Sequence, residues 1–120
     1  MRLHHVQLAI PPESEADART FWLEVLDFRE IAKPPALSGR GGLWVRSGSA
    51  EIHLGVENGF QPARRAHPAI VYDELDPVIA RLHAAGHETK PDADIDGHRR
   101  VHTHDPFGNR LELLSPREQS

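Results

Sequence analysis

A repeated order of strands and helices constrains the fold of this 120-residue chain more than any other feature. Residues 3–10 alternate between apolar and polar side chains, as a half-buried strand does. Residues 67–72 are also predicted to form a strand, with His67, Ala69 and Val71 on the face opposite Ile70 and Tyr72. Each stretch is followed by apolar residues at helical spacing and then by further strand-like segments. The chain is therefore predicted to contain a βαβββ unit twice, with about sixty residues in each copy.

The helix of the first copy is predicted from a stripe of apolar residues on one helical face. The stripe consists of Ala18, Phe21, Trp22, Val25 and Leu26. Ser14 is the expected N-cap, and Asp17 stands where a capping box places its acidic residue. After this helix we expect a short strand at residues 28–31, a Pro- and Gly-rich loop at 33–42, and a hairpin formed by 43–46 and 51–56.

The second copy repeats this order. Asp76 and Pro77 are predicted to start its helix with Pro at the first position, Ile79 and Leu82 to face its buried side, and Gly86 to end it. An acidic loop is expected after the helix, then a closing hairpin. The loop covers residues 91–97, the hairpin strands are 99–104 and 110–114, and Asp-Pro-Phe-Gly at 105–108 is typical of a type I turn.

Four side chains of metal-ligand type recur at equivalent positions of the two copies. His5 and His67, on the first strands, are 62 positions apart, and His53 and Glu112, on the last strands, are 59 apart. Strand alternation places all four on the face opposite the apolar side chains that pack on the helices. Glu112 lies between two leucines. On a solvent-facing surface it would need no partner, whereas an enclosed carboxylate needs a partner such as a cation or a metal.

Composition excludes several classes of function. The net charge of −4 argues against a protein that grips nucleic acid through its phosphates. The chain has no cysteine, which excludes a disulfide, a thiolate nucleophile and a thiolate metal site. No apolar run is long enough to span a bilayer and no signal-peptide pattern is present, so we expect a cytoplasmic protein without a membrane partner.

Four segments together resemble the vicinal oxygen chelate superfamily, which includes glyoxalase I, fosfomycin resistance enzymes, extradiol dioxygenases and bleomycin resistance proteins. The segments are His-Val-Gln-Leu at 5–8, Ala-Arg-Thr-Phe-Trp at 18–22, His-Pro-Ala-Ile-Val at 67–71, and Asp-Pro-Phe-Gly-Asn-Arg-Leu-Glu-Leu at 105–113. The closing hairpin is the most specific of them. The resemblance covers nearly the whole chain.

The resemblance implies an α+β fold of two βαβββ modules, each a curved half-barrel sheet with one helix. We expect a single domain over residues 1–120, with module one at 3–57, a linker at 58–66 and module two at 67–116. Members of this superfamily often complete their cavity in a homodimer, so a homodimer that binds a small-molecule substrate or ligand is also expected.

The resemblance further implies a ligand set. His5, His67 and Glu112 match the family's His, His and Glu positions, and His53 matches a fourth position that glyoxalase I fills with glutamate. Two imidazoles and a carboxylate suit a divalent ion such as Zn, Ni, Fe(II), Co or Mn. His53 is a metal ligand, a hydrogen-bond donor behind the ligands, or a base in the cavity wall.

Further side chains are candidates for catalysis or substrate binding. Glu112, His53 and His102 are the candidate catalytic residues. If the last two strands pair around a five-residue turn, His102 lies beside Glu112 and can move protons. The alternative for His102 is a position at the rim.

Candidate substrate-binding residues come from the first copy. Trp44 would supply a stacking wall, Arg46 an anion contact, and Gln7 support for His5. Glu51 shares a strand face with His53, but it lies near the turn and is expected at the rim.

Two classes of function follow from the resemblance. The first is a metal-dependent enzyme, a glyoxalase-like lyase or isomerase or a dioxygenase, that acts on a small substrate with adjacent oxygens. The second is a metal-free protein that sequesters a small molecule, as bleomycin resistance proteins do. Four ligand-type side chains in register favour the enzyme, because a sequestering protein has no use for them.

Overall fold

The computed structural model describes residues 1–117 and contains two four-stranded sheets, each with its own helix. The chain divides into a first unit that ends at Pro62 and a second unit that begins at Ala63. This division falls within the segment expected to link two modules. Among the described residues, no helix has the length and apolar character needed to cross a lipid bilayer.

The first unit has a mixed sheet with the strand order β1-β4-β3-β2. Strand β1 runs parallel to β4, and the other pairs are antiparallel. Its elements are β1 (Val6–Ile10), α1 (Glu15–Arg19) continued by a π-helix (Thr20–Val25), β2 (Arg29–Ile31), a 3₁₀ helix (Pro35–Arg40), β3 (Leu43–Ser47) and β4 (Ala50–Val56).

The second unit repeats this topology with the strand order β5-β8-β7-β6, and β5 runs parallel to β8. Its elements are β5 (Ala69–Val71), α2 (Asp76–Ala84), β6 (Lys90–Ile95), β7 (His98–His104) and β8 (Arg110–Pro116). The predicted α+β fold with two βαβββ units is therefore confirmed. The strand expected from His67 is shorter and begins at Ala69.

The apolar stripe of the first helix is buried as predicted. Every member is at most 6% exposed, and the Trp22 and Leu26 side chains are fully enclosed. Ser14 is the N-cap residue, as predicted, but its side chain does not cap the helix. The Ser14 hydroxyl donates a hydrogen bond of 2.6 Å to the Pro11 carbonyl and makes none to the helix. The hydroxyl closes the turn before the helix instead, because Pro11 offers it an acceptor there.

Strand β6 occupies most of the segment that was predicted to be an acidic loop. It lies at the sheet edge, all of its residues are exposed, and its register with β7 shifts between Asp92 and Ile95. An exposed edge strand has no apolar face to bury and tolerates Pro91, so its sequence lacks the alternation that marks a strand. The second unit needs this strand to complete its βαβββ order.

Gly86 terminates helix α2, as predicted, two residues after its last residue Ala84. The His87 amide donates to the Leu82 carbonyl at 2.8 Å and the Gly86 amide to the His83 carbonyl at 3.0 Å, which is a Schellman motif with Gly86 at a φ of 85°. The prediction of its buried face was partly wrong. Leu82 is buried, but its partner in the core is Val78 instead of Ile79. Pro77 is also the second residue of the helix, not the first.

A buried carboxylate organises the closing turn. Asp105 is 4% exposed, and its side chain accepts hydrogen bonds from the Phe107 amide at 2.9 Å, the Asn109 amide at 2.8 Å and the Asn109 side chain at 2.8 Å. The Gly108 amide donates to the Asp105 carbonyl at 3.1 Å, as in the predicted turn. Five residues thus separate β7 from β8, which sets the pairing of the two strands.

We predict that Gly42→Ala destabilises the protein far more than Gly59→Ala. The two glycines have similar positive φ angles of 73° and 69°, but a Cβ on Gly42 would overlap the Leu54 carbonyl oxygen, whereas a Cβ on Gly59 meets open space. The conformation alone costs about 1–2 kcal/mol in either variant, and the overlap adds to this cost only at Gly42. Urea unfolding measures both, and equal losses would contradict the predicted overlap.

We also predict opposite pH dependences for two aspartates. Burial raises the pKa of Asp105 above 3.8, and the hydrogen bonds from Asn109, Phe107 and Gly108 offset only part of this rise. The folded state therefore binds this proton more tightly than the unfolded chain, and the stability from Asp105 is lost as the pH rises through its folded pKa. The hydrogen bond from Arg117 lowers the pKa of Asp94, so stability from Asp94 is lost as the pH falls.

The measurement is urea unfolding of the wild type, Asp105→Asn and Asp94→Asn between about pH 3 and pH 7. The wild-type advantage over Asp105→Asn should shrink with rising pH, and its advantage over Asp94→Asn should grow. The same trend in both variants would refute the assignment to these two groups.

Candidate functional site

A row of paired residues crosses the second sheet. Glu112 on β8 pairs with Ala69 on β5 and with His102 on β7, and His102 pairs with Lys90 on β6. Residues directly opposite each other in neighbouring strands share a face of the sheet. The expected place of His102 beside Glu112 is therefore confirmed.

The first sheet has a matching row. His53 on β4 pairs with Gln7 on β1 and with Trp44 on β3, and Trp44 pairs with Ile31 on β2. His53 thus holds the same place in the first sheet that Glu112 holds in the second. The equivalence inferred from spacing alone is present in the strand pairing.

Glu112 is almost enclosed, at 7% exposed, and three basic side chains surround it. Its Oε1 lies 2.9 Å from His67 Nε2, and its Oε2 accepts a hydrogen bond of 3.4 Å from Arg100. Burial raises the pKa of Glu112, but the hydrogen bond from His67 and the charges of Arg100 and His102 together lower it more, so the net pKa lies below its ordinary value. The carboxylate is held in its charged form.

The two nitrogens of His67 both face acceptors. Nδ1 donates to the Arg65 carbonyl oxygen, and Nε2 faces the Glu112 carboxylate. A neutral imidazole that donates through Nδ1 has a lone pair on Nε2, so this nitrogen and the Glu112 carboxylate can both serve as ligands of a cation. A histidine that donates through one nitrogen to a backbone carbonyl and offers the other is the usual arrangement of a metal ligand. The donor set fits a divalent metal.

His102 completes a group of three. One ligand atom from each of His67, His102 and Glu112 lies within 4.8 Å of the other two. His102 Nε2 donates to Asp92 at 3.0 Å, and Arg110 donates to its Nδ1 at 3.5 Å. The His102 ring is thus fixed from both sides, with its side chain 11% exposed.

In the first unit, His53 lies in a stack of three rings. Its ring centroid is 3.8 Å from that of His5 and 3.8 Å from that of Trp44, with interplanar angles of 15° and 3°. In-plane lone pairs of rings stacked in this way run nearly parallel and do not converge on one point. This geometry favours the alternatives in which His53 is a hydrogen-bond donor or a base.

Glu51 holds His53 from the edge of its ring. His53 Nε2 donates to Glu51 Oε2 at 2.7 Å, and Arg46 donates to Glu51 Oε1 at 2.6 and 3.1 Å. Hydrogen bonds from Arg46 and then from His53 lower the pKa of Glu51 to about 2. Burial lowers the pKa of His53, against the opposing effect of Glu51.

The expectation of Glu51 at the rim was therefore wrong. Its side chain is only 8% exposed and it binds two of the candidate residues. The signal was present in the sequence, since Glu51 and His53 are two residues apart on one strand. Arg46 pairs with Glu51 across the hairpin.

Other contacts were missed for different reasons. Arg100 is two residues from His102 on the same strand, so alternation places it on the same face as His102 and within reach of Glu112. Asp92 lay in the segment predicted to be a loop. Arg65 acts through its backbone carbonyl, which no side-chain pattern reveals.

The remaining substrate-binding candidates of the first unit are Gln7, Trp44 and Arg46. Gln7 and Trp44 line a cavity of about 310 Å³, together with Lys33 and Arg40. Arg46, which was expected to contact an anion, has its guanidinium on Glu51.

His5 is exposed, and its Nδ1 lies 2.9 Å from Nδ1 of His4. One ligand atom from each of His4, His5 and Glu51 lies within 4.8 Å of the other two.

Comparisons with known proteins agree with this fold. The model of the Glyoxalase/Bleomycin resistance protein/Dioxygenase superfamily matches residues 2–113. A glyoxalase family protein from Bacillus anthracis is 40% identical and superposes with a TM-score of 0.91 over 98% of this chain and 96% of that chain. A search of curated proteins gave no significant match.

Two more distant structures share the fold. TnmS3, an antibiotic binding protein from Streptomyces sp. CB03234, is 24% identical with a TM-score of 0.68, over 97% of this chain and 98% of that chain. The second is a mutant of the fosfomycin resistance protein FosX from Listeria monocytogenes, in complex with Mn(II) and 1S,2S-dihydroxypropylphosphonic acid. It is 19% identical and superposes with a TM-score of 0.77, over 96% of this chain and 92% of that chain. The repeated topology, the match over residues 2–113 and the 40% identity lead to one conclusion: the chain belongs to the Glyoxalase/Bleomycin resistance protein/Dioxygenase superfamily.

Proposed function

We propose that the protein is a metal-dependent enzyme that acts on a small substrate with two adjacent oxygens. The observation that carries this proposal is the contact of His67 Nε2 with Glu112 Oε1 at 2.9 Å, while His67 Nδ1 donates to a backbone carbonyl. His67 Nε2 and the Glu112 carboxylate would each offer a lone pair to a divalent cation. The FosX structure, which has the same fold, was determined in complex with Mn(II).

His67 and Glu112 would hold the metal in the second unit, and the assignment of His5 and His53 as further ligands stays a prediction from the family resemblance. This donor set suits Zn, Ni, Fe(II), Co or Mn. When bound, such an ion polarises substrate oxygens and lowers the pKa of a coordinated water.

In the first unit, His53 is the candidate base, and its neighbours hold it in place. Since the hydrogen bond to Glu51 fixes the N–H of His53 on Nε2, Nδ1 is the nitrogen that can accept a proton from a substrate. Arg46 acts by holding Glu51 in place. Trp44 supplies a flat wall beside His53.

In the second unit, Asp92 and Arg110 fix the His102 ring next to Glu112. His102 would thus contact the substrate or move a proton beside the metal ligands. The class of reaction is that of a glyoxalase-like lyase or isomerase, or a dioxygenase.

We predict that Mn(II), Ni(II), Zn(II) or Fe(II) stabilises the protein and that Glu112→Ala abolishes the gain. A metal present at about 100 times its dissociation constant adds about 2.7 kcal/mol to the free energy of unfolding. Thermal unfolding of chelator-treated protein, purified without a metal-binding tag, measures this gain for each ion. Glu24→Ala, at an exposed position of the first helix, should keep the full gain.

Elemental analysis of protein purified without chelator provides an independent readout. A metal content below about a tenth of an equivalent per chain, together with no stabilisation by any of the four ions, would reject the metal-dependent function in favour of a metal-free binding protein. Full metal binding by Glu112→Ala would instead show that the metal site lies elsewhere.

A further inference from the structure

A second group of charged side chains lies beside the candidate metal ligands of the second unit. A cavity of about 680 Å³ opens next to His102. Three of its lining residues are cations: Arg64, Lys90 and Arg110. None of these three was assigned a role from the sequence.

The charges of this cavity do not balance. It contains two carboxylates, Glu88 and Asp92, but Asp92 already accepts a hydrogen bond from His102 at 3.0 Å and pairs with Arg100 at 3.3 Å. Within residues 1–117, no ion pair joins any of the three cations to a carboxylate. The cavity thus has an excess of positive charge that a ligand can neutralise.

The strand pairing places this charge near Glu112. Lys90 lies two strands away in the row that contains His102 and Glu112, which corresponds to about 10 Å between Cα atoms. Arg110 precedes Glu112 by two residues on β8, so it shares the face of Glu112 at a separation of about 7 Å. Long cationic side chains at these positions can reach a molecule that contacts Glu112.

We propose that Arg64, Lys90 and Arg110 bind an anionic oxygen group of the substrate, a carboxylate, phosphate or phosphonate. This inference rests on the proposed function, because it assigns one end of the substrate to the cavity and the other end, with its adjacent oxygens, to the metal. The guanidinium fork of arginine and the ammonium of lysine are the usual partners of such groups. The substrate is therefore a small oxygenated acid, not a neutral molecule.

The test uses inorganic phosphate, methylphosphonate and acetate as probes of chelator-treated, metal-free protein. Backbone amide chemical shifts measured by NMR should change saturably at β6 and β7 for at least one probe, and comparison of the three distinguishes phosphorus oxyanions from carboxylates. The double variant Lys90→Gln/Arg110→Gln should bind at least tenfold more weakly. Lys90→Arg keeps the charge and should bind as the wild type does, as should Arg29→Gln, at an exposed position on β2.

Three outcomes would overturn the proposal. One is undiminished binding in the double variant, another is shift changes spread over the cations of the whole surface, and the third is binding that requires metal. The probes are applied first without metal and then with Mn(II), and the metal titration is repeated on the double variant, so that the two sites are tested separately. Binding of the anion only when Mn(II) is present, with no effect of Lys90→Gln/Arg110→Gln, would reject the anion site and leave the proposed metal site intact.

Discussion

The hydrogen bonds to the buried Asp105 carboxylate fix the register of the closing hairpin, and the geometry of the candidate site in the second unit depends on that register. Asp105 accepts hydrogen bonds from the amides of Phe107 and Asn109 and from the Asn109 side chain. Five residues therefore separate the two strands, and Glu112 is opposite His102. A slip of one residue would turn the Glu112 side chain to the other face of the sheet, among the core leucines.

The pairing of β5 with β8 brings in the remaining partner of Glu112. Strand β5 is only three residues long, yet its register with β8 places His67, just before the strand, within reach of the carboxylate. A carboxylate that is 7% exposed is stable there because His67, Arg100 and His102 offset the cost of its burial. In the first sheet the equivalent position is occupied by His53, which is stacked between two rings and hydrogen-bonded to Glu51.

Much of the fold could be predicted because its local signals agree with its tertiary packing. The stripe from Ala18 to Leu26 is buried, the closing turn forms at Asp105, and Gly86 terminates helix α2. The predictions failed where a residue faces solvent or where a side chain makes a different local hydrogen bond. Strand β6 lacks an apolar face, and the Ser14 hydroxyl bonds to Pro11 instead of the helix.

The sequence by itself determined the repeat, the strand faces and the identity of the ligand-type residues, because alternation and helical spacing are properties of neighbours along the chain. Only the tertiary structure decided which atoms meet. It joined His67 and Arg100 to Glu112, and Asp92 to His102. These contacts depend on strand register and on side-chain direction at distances of a few ångströms, which a pattern of residue types does not specify.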